Sequence, residues 1–155
     1  MPKAIPDGYH SLTPYLALRD AAKAIEFYKA ALGATELYRL PMPGGKVAHA
    51  ELQVGTSRFM LADEMPDWGN KSAKGYGGTP VALCIYTENV DALAERFVKA
   101  GGKLVRPLEN QFYGDRSGQF EDPEGYKWTL AQHVEDVSPE EMGRRAAEMM
   151  GDAAG

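Results

Sequence analysis

The stretch FYGDRSGQFEDPEGYKW, residues 112–128, contains the clearest turn in the chain and ends in a tryptophan. Asp122, Pro123 and Gly125 occupy the first, second and last positions of a four-residue segment, which is the pattern of a type I β-turn. The segments on either side therefore predict two antiparallel strands joined by this turn. The alternation of the second strand places Trp128 on its packed face, so we expect this side chain in the core.

The residues before this hairpin complete a β-α-β-β-β order. PVALCIYT, residues 80–87, alternates as a strand, and Asn89 is a suitable N-cap for the amphipathic helix that follows. Gly101 and Gly102 end that helix, because glycine adopts the left-handed conformation of a helix C-terminus at little cost. A further strand, KLVRP, then leads towards the hairpin.

The first half of the chain repeats this order. The alternation of SLTPYLAL, residues 11–18, predicts a strand. Asp20 is a suitable N-cap for the helix that follows, Gly33 is expected to end that helix, and three strands come after it. Side-chain identity between the halves is poor, so the repeat is one of pattern. We predict an α+β fold in a single domain over residues 1–155, with module one at 9–64, a linker at 65–79, module two at 80–133 and a C-terminal helix at 138–150.

Composition narrows the class of protein. The chain has 155 residues, a formal net charge of −5 and a single cysteine, Cys84, which leaves no intramolecular disulfide and no multi-cysteine zinc site. Neither a signal peptide nor a long apolar run is evident. We expect a cytoplasmic protein that binds neither nucleic acid, for which the charge is unfavourable, nor a membrane.

Three stretches carry a family resemblance: LTPYLALRDAAKAIEFYKAALGA (12–34), HAELQVGTSRFMLADE (49–64) and FYGDRSGQFEDPEGYKWTLAQHVEDVSPEEM (112–142). Together they resemble the PhnB-like branch of the vicinal oxygen chelate superfamily, which includes glyoxalase I, bleomycin-resistance proteins and extradiol dioxygenases. The resemblance implies two βαβββ modules that form a curled mixed sheet around a cup, usually completed by a second subunit. We therefore expect a homodimer.

The resemblance also implies where a divalent metal would lie in the metalloenzymes of this superfamily. Their four inward-facing ligand positions align with Thr13, Leu61, Ala82 and Thr129, where those enzymes carry histidine, glutamine or glutamate. Leucine and alanine have no ligating atom, and threonine hydroxyls are poor ligands for a transition metal. We therefore predict no cofactor, and a divalent metal only if the site is relocated.

Strand alternation indicates which side chains face the cup, since the apolar set of each strand should pack under a helix. It assigns Tyr15, Tyr86 and Cys84 to the cup, together with Val47, His49, Glu51 and Gln53 on one strand and Phe59, Leu61 and Asp63 on the next. Trp68 in the linker is either a lid or a pin for the loop. The candidate ligand-binding residues are Tyr15, His49, Glu51, Asp63, Trp68, Tyr86, Phe112, Tyr113, Arg116 and Gln119.

Several of these residues have a second interpretation. His49 and Glu51 suit a general base and its partner, but a solvated sheet face also alternates polar with apolar residues. Arg116 is expected to bind a structural carboxylate, Glu109, Glu121 or the pair Glu135 and Asp136, rather than a ligand. We expect His10 and His133 at the surface and interpret Cys84 as a packing residue.

The sequence thus favours a metal-free protein that binds or sequesters a small organic or antibiotic-like ligand. The alternative is a lyase- or dioxygenase-type enzyme with a relocated site around His49 and Glu51. A scaffold that acts through its dimer surface is a third hypothesis. A methyltransferase is not supported, because no glycine-rich turn after the first strand offers a place for a methyl-donor nucleotide.

Overall fold

The computed structural model describes residues 1–154, and it contains the two predicted βαβββ modules and the C-terminal helix. The elements of module one are β1 (Tyr15–Leu18), α1 (Ala21–Leu32), β2 (Thr35–Met42), β3 (Lys46–Val54) and β4 (Ser57–Asp63). The linker contains a 3-10 turn (Pro66–Trp68) and a short helix, α2 (Ala73–Tyr76). The remaining elements are β5 (Ala82–Tyr86), α3 (Val90–Lys99), β6 (Lys103–Asn110), β7 (Asp115–Glu121), β8 (Lys127–His133) and α4 (Pro139–Ala154).

Each module forms its own four-stranded mixed sheet. The strand orders are β1-β4-β3-β2 and β5-β8-β7-β6, so the two sheets have the same topology. The first strand of each module pairs in parallel with the last, and all other pairs are antiparallel. The α+β fold class predicted from the sequence is confirmed.

The predicted helix boundaries depend on the predicted caps. The side chain of Asp20 accepts a hydrogen bond from the backbone N–H of Lys23 at 3.1 Å, and Asn89 accepts one from Ala92 at 3.1 Å. Gly33 ends α1 with φ of 67°, a backbone conformation that favours glycine. These local signals place each helix directly after the first strand of its module.

The two modules pack against each other through their helices. The rings of Phe27 on α1 and Phe97 on α3 meet edge to face, with centroids 5.3 Å apart. Arg96 of α3 donates hydrogen bonds to the carbonyls of Ala30 and Lys29 at the C-terminal end of α1. A cation at a helix C-terminus is favourable because the last carbonyls carry partial negative charge.

The DPEG turn also connects the modules. Its defining hydrogen bond, from the N–H of Gly125 to the carbonyl of Asp122, is 3.0 Å long, so the predicted turn is confirmed. Asp122 is buried, and its carboxylate accepts hydrogen bonds from Tyr28 of module one at 2.6 Å and from Trp128 at 2.8 Å. The carboxylate of Glu124 accepts hydrogen bonds from the backbone N–H groups of Arg19 and Asp20. Trp128 lies in the core, as predicted.

The C-terminal helix α4 begins near the predicted position and extends further, to Ala154. Ser138 caps it by accepting a hydrogen bond from the N–H of Glu141 at 3.2 Å. Arg145 attaches the helix to the rest of the protein through Glu135 and the carbonyl of Phe112. In the described part of the chain, no helix combines the length and the apolar character needed to cross a membrane.

Candidate functional site

Each sheet has one face packed against helices and one open face. In module one, Leu16, Leu61 and Ala50 lie side by side on three strands and are buried on the α1 side. The neighbouring positions Tyr15, Met60 and Glu51 point the opposite way, because side chains alternate along a strand. We call the side that they form the open face of module one; its members are Tyr15, Tyr38, His49, Glu51, Gln53, Arg58 and Met60.

The predicted orientation of the fourth strand is wrong. Phe59, Leu61 and Asp63 point to the packed face, where Phe59 contacts the ring of Tyr28 at a centroid distance of 5.4 Å. The carboxylate of Asp63 is buried and accepts hydrogen bonds from the N–H groups of Ala21, at 3.0 Å, and Val47, at 2.6 Å. Asp63 therefore ties the start of α1 to β3 and does not lie on the open face.

The orientation predicted for Val47 also needs correction. The β2–β3 pairing shifts register between Leu40 and Pro41, because two residues of β3 lie opposite one step of β2. Such a bulge rotates the strand, and it turns Val47 into the core while His49 and Glu51 stay on the open face. The rest of the predicted β3 assignment agrees with the structure.

A chain of polar contacts runs across the open face of module one. The hydroxyl of Tyr15 lies 2.8 Å from Nδ1 of His49, and Nε2 of the same ring lies 4.0 Å from Oε1 of Glu51. When Tyr15 donates to Nδ1, the ring proton lies on Nε2 and faces the Glu51 carboxylate. At the Glu51 end of this series of contacts, the hydroxyl of Tyr9 donates a hydrogen bond to Oε1 of Glu51. The structure therefore brings together the three predicted residues Tyr15, His49 and Glu51 and adds Tyr9.

The tyrosines of this chain are held in their protonated form. Partial burial, and secondly the nearby Glu51 carboxylate, raise the pKa of Tyr15. Burial together with the hydrogen bond to Glu51 raises the pKa of Tyr9 to about 12. Both hydroxyls are therefore donors at neutral pH, and neither supplies a phenolate nucleophile.

Module two carries a second polar cluster on its open face. Tyr86 donates a hydrogen bond to Oδ2 of Asp115 at 2.6 Å, and Nδ1 of His133 lies 2.9 Å from Oδ1 of the same carboxylate. The other nitrogen of His133 lies 2.8 Å from Asp136. An imidazole donates to two carboxylates only when it is protonated, and the hydrogen bonds to Asp136 and Asp115 raise the pKa of His133.

The charges of this second cluster reinforce one another. Burial alone would raise the pKa of Asp115, but the hydrogen bonds from Tyr86 and His133 outweigh it and lower this pKa. The hydrogen bond to Asp115 raises the pKa of Tyr86 to about 12. Asp115 is therefore an ionised carboxylate, nearly buried, with a tyrosine hydroxyl and an imidazolium bound to it.

A cleft of about 390 Å³ separates module one from the open face of module two. One wall consists of residues of the N-terminal segment and of β4, among them Tyr9, Thr13 and Arg58. β5 residues, including Cys84 and Tyr86, also line the cleft, together with Trp128. Its lining mixes aromatic and aliphatic side chains with polar ones such as His10, Thr56 and Ser57. Small-molecule sites likewise combine apolar surface with polar groups that orient the ligand.

The other predicted site residues have different surroundings. Arg116 binds Asp91 of α3 through two nitrogens, at 2.8 Å and 3.0 Å, so a structural ion pair forms but with a partner that we did not predict. Trp68 is 85% exposed in the linker. The hydroxyl of Tyr113 lies 3.3 Å from Oγ of Ser117, and its ring contacts Phe112. Gln119 is exposed on the open face of module two.

The surroundings of Cys84, His10 and His133 do not favour a nucleophile or a metal ligand. Cys84 is exposed, so our interpretation of it as a packing residue is wrong. Partial burial and the nearby Asp115 raise the pKa of its thiol, which disfavours the reactive thiolate. His10 is exposed, as expected, and His133 is also at the surface but pairs with carboxylates. Among the described residues, no group of three or more histidine, cysteine, aspartate or glutamate side chains is arranged to hold a metal ion.

Sequence reasoning missed three residues of these clusters. Asp115 shares its strand face with Ser117 and Gln119, so the alternation could have assigned it to the cup. Tyr9 and Arg58 carry no such signal, because their contact joins the N-terminal segment to β4 across a long stretch of sequence. Only the tertiary structure shows that Tyr9 reaches Glu51.

A family model for the glyoxalase/bleomycin resistance protein/dioxygenase superfamily matches residues 10–130 of the chain. The chain belongs to this superfamily. It is 42% identical over 135 residues to an uncharacterized protein of Mycobacterium bovis, an alignment that covers 85% of this chain and 89% of that protein.

Solved structures of other proteins show the same fold. TioX from a Micromonospora species is 26% identical, with a TM-score of 0.66 over 81% of this chain and 99% of that one. The PhnB protein of Bacillus cereus is 18% identical, with a TM-score of 0.61 over 79% of this chain and 99% of that one. At this identity the second likeness concerns the fold alone. The superfamily predicted from the sequence is thus confirmed by the family model, and the PhnB protein shares its fold.

The superfamily's metal does not fit the residues at the corresponding positions of this chain. Since the side chains of β4 point the opposite way from our prediction, the residue of β4 that faces inward is Met60 instead of Leu61. Met60 pairs with Tyr15 of β1, just as Thr129 pairs with Cys84 at the equivalent place in module two. Thr13, Met60, Ala82 and Thr129 offer two hydroxyls and a thioether. Hard and borderline divalent ions prefer imidazole and carboxylate ligands.

Proposed function

We propose that this superfamily member binds a small organic molecule at the cleft between its modules and on the adjoining open faces, without a resident metal. The observation that carries the proposal is the pairing of tyrosine rings with ionisable partners on both open faces: Tyr15 with His49 in module one, and Tyr86 with Asp115 in module two. Aromatic faces supply apolar contact area, and the hydroxyls and carboxylates supply hydrogen bonds with defined directions.

The size of the cleft supports this proposal. A volume of about 390 Å³ lies within the range of about 300–1,000 Å³ that is typical of small-molecule sites. Tyr86 is 64% exposed, so its ring is available for a ligand to stack on. The carboxylates of Glu51 and Asp115 are hydrogen-bond acceptors beside aromatic rings, which favours a ligand with planar rings and donor groups.

We infer that the protein acts as a homodimer. The outer strands β2 and β6 expose apolar side chains at their edges, namely Leu37, Tyr38, Leu40, Leu104 and Val105. Exposed sheet edges with apolar side chains are suited to association. Light scattering coupled to gel filtration should give twice the mass of the chain, and a monomer at all concentrations would contradict this inference.

Metal analysis on untagged protein, followed by a thermal-shift screen of small metabolites and antibiotics, tests the main proposal. We expect well below one equivalent of zinc, nickel, manganese or iron. A ligand present at about 100 times its Kd stabilises a protein by about 2.7 kcal/mol, which raises the Tm of a domain of this size by roughly 5–10 °C.

Variants locate the binding site. His49→Ala and Tyr86→Ala should each reduce the thermal shift, whereas Tyr76→Ala, in the linker, should leave it unchanged. A stoichiometric metal whose removal abolishes activity, or a shift that persists in both site variants, would contradict the proposal.

A second candidate function is acid–base catalysis without the superfamily's metal positions. The contacts from Tyr15 through His49 to Glu51 favour it, because Glu51 faces Nε2 of His49 and a substrate that displaces the Tyr15 hydroxyl would leave Nδ1 able to accept a proton. Once a reaction is found, His49→Ala should lower turnover by about 100-fold or more, and the exposed His10→Ala should serve as its control. An unchanged rate in His49→Ala would exclude this role.

A further inference from the structure

The N-terminal strap, residues 7–14, lies across the open face of module one and is not explained by the fold. The guanidinium of Arg58 donates a hydrogen bond to the carbonyl of Asp7 at 3.0 Å and lies 5.1 Å from the centroid of the Tyr9 ring. At the far end of the strap, the carbonyl of Pro14 accepts a hydrogen bond from the N–H of Met60 at 2.9 Å. The strap is therefore held at both ends by β4.

Gly8 allows this close approach. Its φ of +83° is a conformation that other residues rarely adopt, and a Cβ built there would lie 2.3 Å from Cζ of Arg58. A larger side chain would push the guanidinium at the end of Arg58 aside and weaken its contacts with the strap.

The strap forms a hydrogen bond with the Glu51 carboxylate, which a bound ligand would also use. The hydroxyl of Tyr9 donates a hydrogen bond to Oε1 of Glu51, the same oxygen that faces His49. An amine or hydroxyl of a bound molecule that took this oxygen as its acceptor would compete directly with Tyr9. The strap also lines the cleft, through Tyr9, Leu12 and Thr13, together with Cys84 and Tyr86.

We propose that the strap is a lid over the binding site, which Tyr9 and Arg58 close in the free protein and which opens when a donor group of the ligand takes Glu51. This inference rests on the proposed function for the identity of the site. Opening of the strap frees the Glu51 carboxylate and widens the cleft towards module two. Tyr9 is then a residue that selects for ligands with a donor group able to replace its hydroxyl.

The single cysteine of the chain offers a direct reporter of the lid. Cys84 is exposed and lines the same cleft as the strap. A small reagent should therefore reach its thiol whether the strap is closed or open, whereas a reagent larger than the cleft should be hindered until the strap moves away. We would measure by mass spectrometry the rates at which iodoacetamide, a small reagent, and fluorescein maleimide, a bulky one, alkylate Cys84. No ligand is needed, so the lid is tested independently of the proposed function.

Three variants of the full chain complete the experiment. Tyr9→Phe removes the hydrogen bond to Glu51, and Gly8→Ala displaces Arg58 without touching Glu51. Each should raise the rate of maleimide labelling by about three- to tenfold, the effect of losing roughly one hydrogen bond from the closed state. The rate with iodoacetamide should change less than the rate with maleimide. Tyr76→Phe in the linker is the matched control and should behave as the wild type.

The outcomes are distinct. A selective gain in maleimide labelling in both variants, with circular dichroism and melting curves like those of the wild type, supports the lid. Unchanged maleimide rates in both variants overturn it. Equal acceleration of both reagents, or acceleration in Tyr76→Phe, also overturns it, because that result indicates general loosening. A failed ligand screen with selective labelling would refute the proposed function alone.

Discussion

Asp122→Ala removes the acceptor that two buried side chains share at the seam between the modules. Tyr28 of α1 is completely buried, and its hydroxyl donates to Oδ2 of Asp122 at 2.6 Å. The indole N–H of Trp128 donates to the same oxygen at 2.8 Å, and two backbone N–H groups donate to Oδ1. Alanine leaves the two side-chain donors without an acceptor in the core.

The size of the effect follows from these contacts. A buried donor that loses its partner costs about 1–3 kcal/mol, because it gave up water on folding and regains nothing. Two such donors, with the two weaker backbone bonds and the partly offsetting removal of a buried charge, give about 3–5 kcal/mol. For a domain of this size the Tm should fall by roughly 10 °C or more.

Urea denaturation and thermal melting of four variants test this prediction. Tyr28→Phe removes one donor and should cost about 1–2 kcal/mol. When Tyr28 is already phenylalanine, Asp122→Ala leaves only the indole N–H of Trp128 without an acceptor. The double variant should therefore lose less stability than the sum of the two single losses. Asp67→Ala, at an exposed linker position, is the control and should change stability by less than about 0.5 kcal/mol. A loss below about 1 kcal/mol for Asp122→Ala, or strict additivity with Tyr28→Phe, would refute the reasoning.

Three further predictions concern the surface contacts that hold the elements together. Asp136 and Asp115 raise the pKa of His133, so the contribution of His133 to stability should be complete below about pH 6.5 and should be lost as the pH rises through its folded-state pKa. Urea midpoints should therefore decline with pH more steeply in the wild type than in His133→Gln. His10→Gln is the control and should retain the wild-type slope. Arg96→Met should lower the free energy of unfolding by about 1 kcal/mol, because the last carbonyls of α1 lose their cation, and an unchanged urea midpoint would argue against this docking contact. Arg145→Met should increase hydrogen exchange throughout α4, whereas Arg144→Met, whose partners lie within the helix, should not; equal exchange in both variants would contradict an anchoring role for Arg145.

The sequence predicted those features of the fold that depend on local chemistry. Asp20, Asn89 and Gly33 cap helices where we expected them, because a cap depends on residues within one turn of the helix. The DPEG turn formed for the same reason. Alternation assigned His49 and Glu51 to the correct face, because polar and apolar residues separate clearly along that part of β3.

Alternation failed where both faces of a strand are apolar. Residues 59–62 read Phe, Met, Leu and Ala, so nothing local decides which set packs under the helix, and the register with β1 and β3 makes the choice. Arg116 found Asp91 of α3 rather than any of the acidic residues that we considered. Pairing of charged side chains across elements depends on how helices and sheets dock, which no local pattern encodes.

The sequence by itself determined two βαβββ modules, their helix boundaries, the turn of the last hairpin and the family, because each rests on neighbouring residues or on a repeated pattern. Only the tertiary structure decided what the polar residues do. Asp122 and Glu124 form hydrogen bonds that join the modules, and Asp63 lies in the core instead of on the open face. Tyr9 contacts Glu51, and His133 lies between two carboxylates. The physical reason is that hydrogen bonds and ion pairs act over about 3 Å, so their partners are fixed only once distant segments have packed.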